Sequence, residues 1–125
     1  MELSGNLPVG ASGEKDACRY LESIGHTILE RNWRSGHLEI DIISLAPDGL
    51  HIVEVKTRVA PLAALPEENV TAAKRRKITS AALKYLHSGR VRADVEIFFD
   101  IIAVVYEGGR TTVTYFPQAW IPMYV

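Results

Sequence analysis

Two β-prone runs, each with acids inside it and a turn signal between them, constrain this chain more than any other feature. Ile40, Ile42 and Ile43 mark the first run; Ile52, Val53 and Val55 mark the second. The connecting Ala46-Pro-Asp-Gly-Leu50 contains Asp-Gly, favoured in type I′ hairpins because both central residues need positive φ. With Asp48-Gly49 as a two-residue turn, Pro47 pairs with Leu50. Asp41 then lies opposite Lys56, Ile43 opposite Glu54 and Glu39 opposite Arg58. Side chains alternate along strands, so this register predicts Glu39, Asp41, Glu54, Lys56 and Arg58 on one face. The other face shows Ile40, Ile42, Val53 and Val55 as a core face. Asp41 and Glu54 become diagonal neighbours, with Cα atoms roughly 7–8 Å apart, near enough to bridge one ion. A slip of one residue would send Asp41 to the other side.

Such a hairpin has two readings. It fits a solvated sheet, with Asp41–Lys56 and Glu39–Arg58 as cross-strand ion pairs. It also fits metal-assisted phosphoryl chemistry. Aspartate is disfavoured inside strands, so Asp41 asks for a reason. Water attacking a phosphodiester builds negative charge on phosphoryl oxygens and the leaving group, which a divalent ion neutralises. Mg²⁺ (or Mn²⁺) takes oxygen ligands, and here Asp41 and Glu54 offer carboxylates and Val55 a backbone carbonyl. Lys56 beside them would orient the water or stabilise the charged transition state. Glu39 is expected to be an alternative ligand or to lie just behind the ligands. Zinc is disfavoured, since the chain has no Cys/His cluster, and His26, His37, His51 and His87 lack ligand spacing. These histidines read as ordinary surface or edge residues.

Further blocks accompany the hairpin in a fixed order. They are Gly13-Glu14, Arg31-Asn32-Trp33-Arg34, Glu39-Ile-Asp-Ile-Ile43, Val53-Glu-Val-Lys-Thr-Arg58, Lys74 and Lys77, and Phe99-Asp-Ile-Ile102. In these blocks the chain resembles the YraN-like family of small bacterial endonuclease-like proteins, from about Gly10 to the aromatic tail. That family is similar to the PD-(D/E)xK nucleases and to archaeal Holliday-junction resolvases. The resemblance implies a restriction-endonuclease-like fold and nuclease chemistry on nucleic acid, DNA first. It also implies that Glu14, from the first helix, reaches the metal cluster as an extra ligand or water-orienting base. The residues alone give Glu14 another role, as an acid favoured by the dipole in the first turn of a helix. One departure is visible: Leu38 stands where the family pattern has Gly before Glu-Ile-Asp.

The remaining elements follow from periodicity and punctuation. A helix is predicted over 12–23, with Ala17, Tyr20, Leu21 and Ile24 as its apolar stripe and Gly25 as its stop. Residues 1–10 read as a loose arm, 27–34 as a strand, and 34–37 as a turn. A loop with Pro61 and Pro66 is expected over 59–69. A second helix over 71–87 turns Ile78, Ala81, Ala82, Tyr85 and Leu86 inward, and Gly89 stops it. A strand over 95–106, a Gly108-Gly109 turn, a short strand over 111–116 and a helical turn at 117–120 complete the chain. The order α-β-β-β-α-β-β predicts an α/β protein: a central mixed sheet flanked by helices, in one domain spanning 1–125.

Composition narrows the setting. A chain of 125 residues with 47% hydrophobic and 23% charged residues suits one globular domain. The lone Cys18 rules out an internal disulfide and points to the reducing cytoplasm; it is expected to be a half-buried structural thiol. No apolar run reaches the ~20 residues of a membrane span, and no signal-peptide pattern opens the chain. A net charge of −1 argues against nonspecific wrapping of nucleic acid, so a basic surface must be local. Helix two supplies one candidate. Lys74 and Lys77 share a face while Arg75 and Arg76 point elsewhere. Arg34 and Arg58 would add phosphate contacts, and Trp33 would stack on a base or join the core. Asp100 is expected to serve an internal arginine or lysine. A non-catalytic nucleic-acid-binding module and a protein-interaction domain using the 116–120 aromatic tail are the competing readings. The sequence leaves the oligomeric state open.

Overall fold

The structure is a computed structural model and describes residues 9–60 and 71–122. The 59–69 loop, most of the N-terminal arm and the final residues therefore lie largely outside the described residues. The elements run α1 (Val9–Ser23), β1 (Thr27–Ser35), β2 (Leu38–Ala46), β3 (Gly49–Val59), α2 (Ala72–Leu86), β4 (Ile97–Glu107) and β5 (Arg110–Trp120). This is the α-β-β-β-α-β-β order expected from the sequence. The strands form one five-stranded sheet in the order β1-β2-β3-β4-β5. Neighbours are antiparallel except β3 and β4, which run parallel because α2 carries the chain across between them. The arrangement is a mixed α/β sheet of the restriction-endonuclease-like kind.

Both faces of the sheet are covered. Ala17, Cys18 and Leu21 of α1 pack with Ile42, Val53, Ile102 and Val104 on one side. Ile78, Ala82, Tyr85 and Leu86 of α2 pack with Ile43, Leu50, Ile52, Phe99 and Ile101 on the other. Each large apolar side chain buried this way contributes ~1.5–3 kcal/mol. The expectation of one polar and one apolar face for the hairpin is therefore corrected. A parallel crossover puts a helix on the sheet, and the central strands become apolar on both sides. Thr71 caps α2 by accepting a hydrogen bond from the Lys74 N–H at 3.2 Å.

The β2–β3 turn also differs from expectation. Ala46 pairs with Gly49 and Leu45 with Leu50, so Pro47-Asp48 forms the turn. Proline explains the shift. At a paired position it would forfeit a ladder hydrogen bond, whereas its fixed φ suits the first central position of a turn. Gly49 follows with φ 148°, and a Cβ there would stand 2.4 Å from the Glu96 carbonyl oxygen. The register moves by two residues, an even step, so the alternation of β3 is unaffected. Partners across the hairpin change: Asp41 is not opposite Lys56, nor Ile43 opposite Glu54, since Ile43 pairs with Ile52.

Three boundaries move as well. Helix α1 begins at Val9, three residues before the predicted start, so Glu14 lies beyond the first turn. The turn between β1 and β2 is Gly36-His37, with Gly36 at φ 62°, and Leu38 already belongs to β2. The glycine missing from position 38 is thus supplied two residues earlier. Strand β5 runs on to Trp120 where a helical turn was expected. A bulge opposite Asp100, with Gln118 at φ 49°, carries Pro117 along this edge strand.

Candidate active site

The paired ladder of β2 and β3 ends at Ile42–Val53, and beyond it the strands separate. Asp41 is the first residue past that point, at the level of Glu54. Its carboxylate turns into the gap, and Oδ2 accepts the Val55 N–H at 2.8 Å. In an extended residue the N–H and C=O point the same way, so the Val55 carbonyl also faces the gap. Val55 therefore turns a backbone oxygen toward the gap.

A local distortion sets Asp41 apart from its neighbours. Ile40 and Ile43 both pack on the α2 side, although three positions apart, while Ile42 packs on the α1 side. Strict alternation would put residues three apart on opposite faces. The break coincides with Asn32 on β1, which takes φ 53° between the pairs Arg31–Ile42 and Trp33–Ile40. Asn is among the few residues that enter this region readily. Glu39, Asp41 and Glu54 consequently do not share one face. On β3, Ile52 packs against α2, so Glu54, Lys56 and Arg58 follow on that side. Val55 packs with α1, and Thr57 meets Gly13 of α1.

The first helix brings Glu14 to the same gap. A Cβ at Gly13 would fall 2.1 Å from Thr57 Oγ1, so only glycine lets α1 lie this close to β3. Burial pushes the Glu14 carboxyl above its ordinary pKa, Asn32 and Arg31 pull it down, and Glu39 raises it. Asp41 responds more strongly. Burial first, then the charges of Glu54 and Glu14, push its pKa up to about 7, against the Val55 hydrogen bond and Lys74. Lys74 reaches over from α2, its Nζ 2.8 Å from Glu54 Oε2, and Glu54 is largely buried. Lys56 is half-buried on β3, one turn of the pleat beyond Glu54.

The structure thus brings Glu14, Asp41, Glu54 and the Val55 backbone together, with Lys74 as a close cation. Among the described residues, no group of three or more His, Cys, Asp or Glu side chains is arranged to hold a metal ion. Other expected contacts go elsewhere. Arg34 is exposed and lies 3.7 Å from Glu39. Arg58 donates from Nη1 to the Thr57 carbonyl at 2.9 Å. Lys77 is exposed on α2. Trp33 packs edge-on against Tyr85 at 5.3 Å and joins the core, so it is no base platform. Trp120 is buried, stacked on Phe99 at 4.3 Å, which takes it out of any surface tail. Burial raises the pKa of Cys18, as expected of a structural thiol.

Two features escaped the sequence reading. Asn32 is one; an asparagine inside a strand pattern was the available signal. The other is a buried network at the turn end of the sheet. His51 is buried, with Nδ1 2.6 Å from Asp100 Oδ2 and Nε2 2.8 Å from Asp48 Oδ1. Asp100 also accepts the Tyr115 hydroxyl at 2.6 Å and the Gln118 N–H at 2.9 Å. Its expected arginine or lysine partner is thus replaced by a histidine, a tyrosine and a bulge amide. His26 sits over His51, ring centres 4.5 Å apart, with Nδ1 2.8 Å from Ser44 Oγ. Neither histidine is an ordinary surface residue.

Among the described residues, no helix is long and apolar enough to cross a membrane. The model of an uncharacterised family, UPF0102, matches residues 13–104, a span holding all of the residues gathered at the gap. A UPF0102 protein from Bacteroides thetaiotaomicron is 41% identical over 114 residues, covering 91% of this chain and 93% of its own. One from Rhodococcus opacus is 40% identical over 112 residues, covering 86% of this chain and 90% of its own. A solved protein of unknown function from Silicibacter pomeroyi has 14% identity and a TM-score of 0.42, over 94% of this chain and 78% of that one. By the family match and by these relatives, the chain belongs to the UPF0102 family.

Proposed function

We propose that this protein is a metal-dependent endonuclease that hydrolyses phosphodiester bonds in nucleic acid, with DNA as the first substrate to test. The observation that carries this reading is the meeting of Asp41 and Glu54 where β2 and β3 part, with Asp41 pushed up to about 7. Acidic groups crowded in this way disfavour joint ionisation unless a cation serves them. The donor set suits Mg²⁺ or Mn²⁺: two carboxylates and the Val55 carbonyl, with the remaining positions left to water. An ion held there supplies Lewis-acid polarisation of the phosphoryl oxygen and a more acidic water.

The chain's own groups divide the remaining work. The Val55 N–H fixes the Asp41 carboxylate. Lys74 holds Glu54 and adds positive charge beside the phosphate path. Lys56, on the same strand face as Glu54, orients water or stabilises developing charge. Glu14, tethered through Asn32, stands behind Asp41 as a water-orienting base. Lys77 contributes a phosphate contact from α2, and Arg34 and Arg58 lie on the flanking strands.

The test is cleavage of labelled duplex, single-stranded, flap and four-way-junction DNA with Mg²⁺ or Mn²⁺. Wild type is compared with Asp41→Ala, Glu54→Ala and Lys56→Ala. Metal-dependent cleavage lost in all three variants is the expected result. Cleavage that persists in Asp41→Ala would overturn the assignment. A second reading, a nucleic-acid-binding module, draws support from Lys74 already neutralising Glu54. It predicts salt-sensitive binding without hydrolysis.

A further inference from the structure

A cleft of about 550 Å³ runs between α2 and the turn joining β1 to β2. One wall is a single stripe of α2, with Lys74, Lys77 and Lys84 facing the cleft; Ser35 and His37 belong to the other wall. No acidic side chain is among the described residues that line it. Lys74 links the cleft to the Asp41–Glu54 gap, since it both lines the cleft and holds Glu54 at 2.8 Å. The chain as a whole carries a net charge of −1, so a wall whose charged side chains, among the described residues, are all lysines concentrates positive charge locally.

We infer that this cleft seats the phosphate backbone of one single strand of nucleic acid and leads it to the carboxylate gap. The inference rests on the proposed nuclease reading and adds the form of its substrate. The dimensions agree. Lys74 and Lys84 are ten residues apart, which is ~15 Å along a helix. At the ~3.4 Å rise per strand of a stacked duplex that distance spans about four phosphates, and it spans fewer along an extended single strand. The volume is that of a small-ligand site. A duplex sets two backbones on either side of grooves ~6 Å and ~12 Å wide, whereas about 550 Å³ is room for a single backbone. Among the described residues the lining holds no Trp, Tyr or Phe, so these residues offer bases no stacking platform. Binding is therefore expected to follow phosphate charge, with little preference for sequence. A 3′ or 5′ tail, a flap or a frayed end fits this description; a blunt duplex does not.

The experiment uses fluorescein-labelled oligo(dT) and a blunt duplex, with binding followed by anisotropy in EDTA between about 50 and 200 mM salt. Wild type is compared with the exposed-lysine double variant Lys77→Gln/Lys84→Gln. The expected result is tighter binding to oligo(dT) than to duplex. The salt slope should fall by about 1.4 in the double variant, at ~0.7 for each phosphate deprived of its lysine. An unchanged slope, equal or tighter binding to duplex, or no binding to oligo(dT) overturns the inference. Cleavage of a tailed duplex, run in parallel with Asp41→Ala, separates the two ideas. An unchanged slope beside Asp41-dependent cleavage sinks the cleft alone. Cleavage that survives Asp41→Ala sinks the active-site reading instead.

Discussion

Lys74 Nζ lies 2.8 Å from Glu54 Oε2, joining α2 to the end of β3 at the point where β2 turns away. The ammonium stands on the carboxylate that a divalent ion would share. On the proposed metal-site reading, the two cations would then weaken each other's hold on Glu54. Replacing Lys74 by Met is expected to cost about 1–2 kcal/mol in EDTA, since it leaves a largely buried carboxylate without its cation. Mn²⁺ should then raise the Tm of Lys74→Met by more than it raises that of wild type. Equal Mn²⁺ shifts in the two proteins would show that lysine and metal do not compete.

Asp41 predicts a pH dependence of stability. Its folded pKa of about 7 lies above the ordinary 3.8, so the folded state holds a proton that the unfolded state has lost. The associated stability is complete below pH ~4 and disappears as pH rises through ~7. In EDTA, Asp41→Asn should match wild type near pH 4. At pH 8 it should be more stable by about 2–4 kcal/mol, while Asn still accepts the Val55 N–H. Denaturant unfolding at both pH values reads the difference, and a variant less stable than wild type at pH 8 would refute the assignment.

His26 and His51 should titrate in opposite directions although their rings are 4.5 Å apart. Burial alone would lower His51, but hydrogen bonds and charge from Asp100 and Asp48 outweigh it and raise its pKa. Burial and the neighbouring His51 lower His26. The His51 contribution to stability is thus present below the unfolded imidazole pKa and fades as pH rises through its folded value. Imidazole ¹H–¹⁵N spectra across pH 5–9 measure both. Asp48→Asn should bring His51 down and leave its buried bond to Asp100 in place. Coincident titration of both rings at the ordinary value would contradict the network.

Gly13→Ala should displace α1 from β3, because its Cβ would fall 2.1 Å from Thr57 Oγ1. A destabilisation of about 1–3 kcal/mol is expected, together with, on the proposed nuclease reading, a fall in cleavage out of proportion to stability, since Glu14 moves with the helix. Thr57→Ala removes the nearest clashing atom and should recover part of both in the double variant. Gly13→Ala with wild-type Tm would show that the helix has room to spare.

Much of the architecture was legible because its signals are local. Stops and periodicity located both helices, α1 to within three residues at its start, and Gly108-Gly109, with φ of 54° and 79°, forms the β4–β5 turn expected of it. Local signals misled where two competed. Asp48-Gly49 is a strong turn dipeptide, but Pro47 beside it cannot serve a ladder, and the proline won. In β5, Pro117 looked like the start of a helical turn, yet an edge strand tolerates it and Trp120 gains burial against Phe99.

The sequence by itself determined the element order, the apolar stripes and the residue types that meet at Asp41 and Glu54, because spacing along a chain is enough to set those. Only the tertiary structure decided which groups face one another. Asp41 meets Glu54 and the Val55 N–H because the β2–β3 ladder stops one residue earlier and Asn32 bends the adjoining strand. Lys74 reaches Glu54 because the parallel crossover lays α2 on that face. Asp100 finds His51 and Tyr115 across neighbouring strands, residues 49 and 15 positions away in sequence. Such contacts depend on strand order, on register and on where pairing ends, which packing of the whole sheet settles.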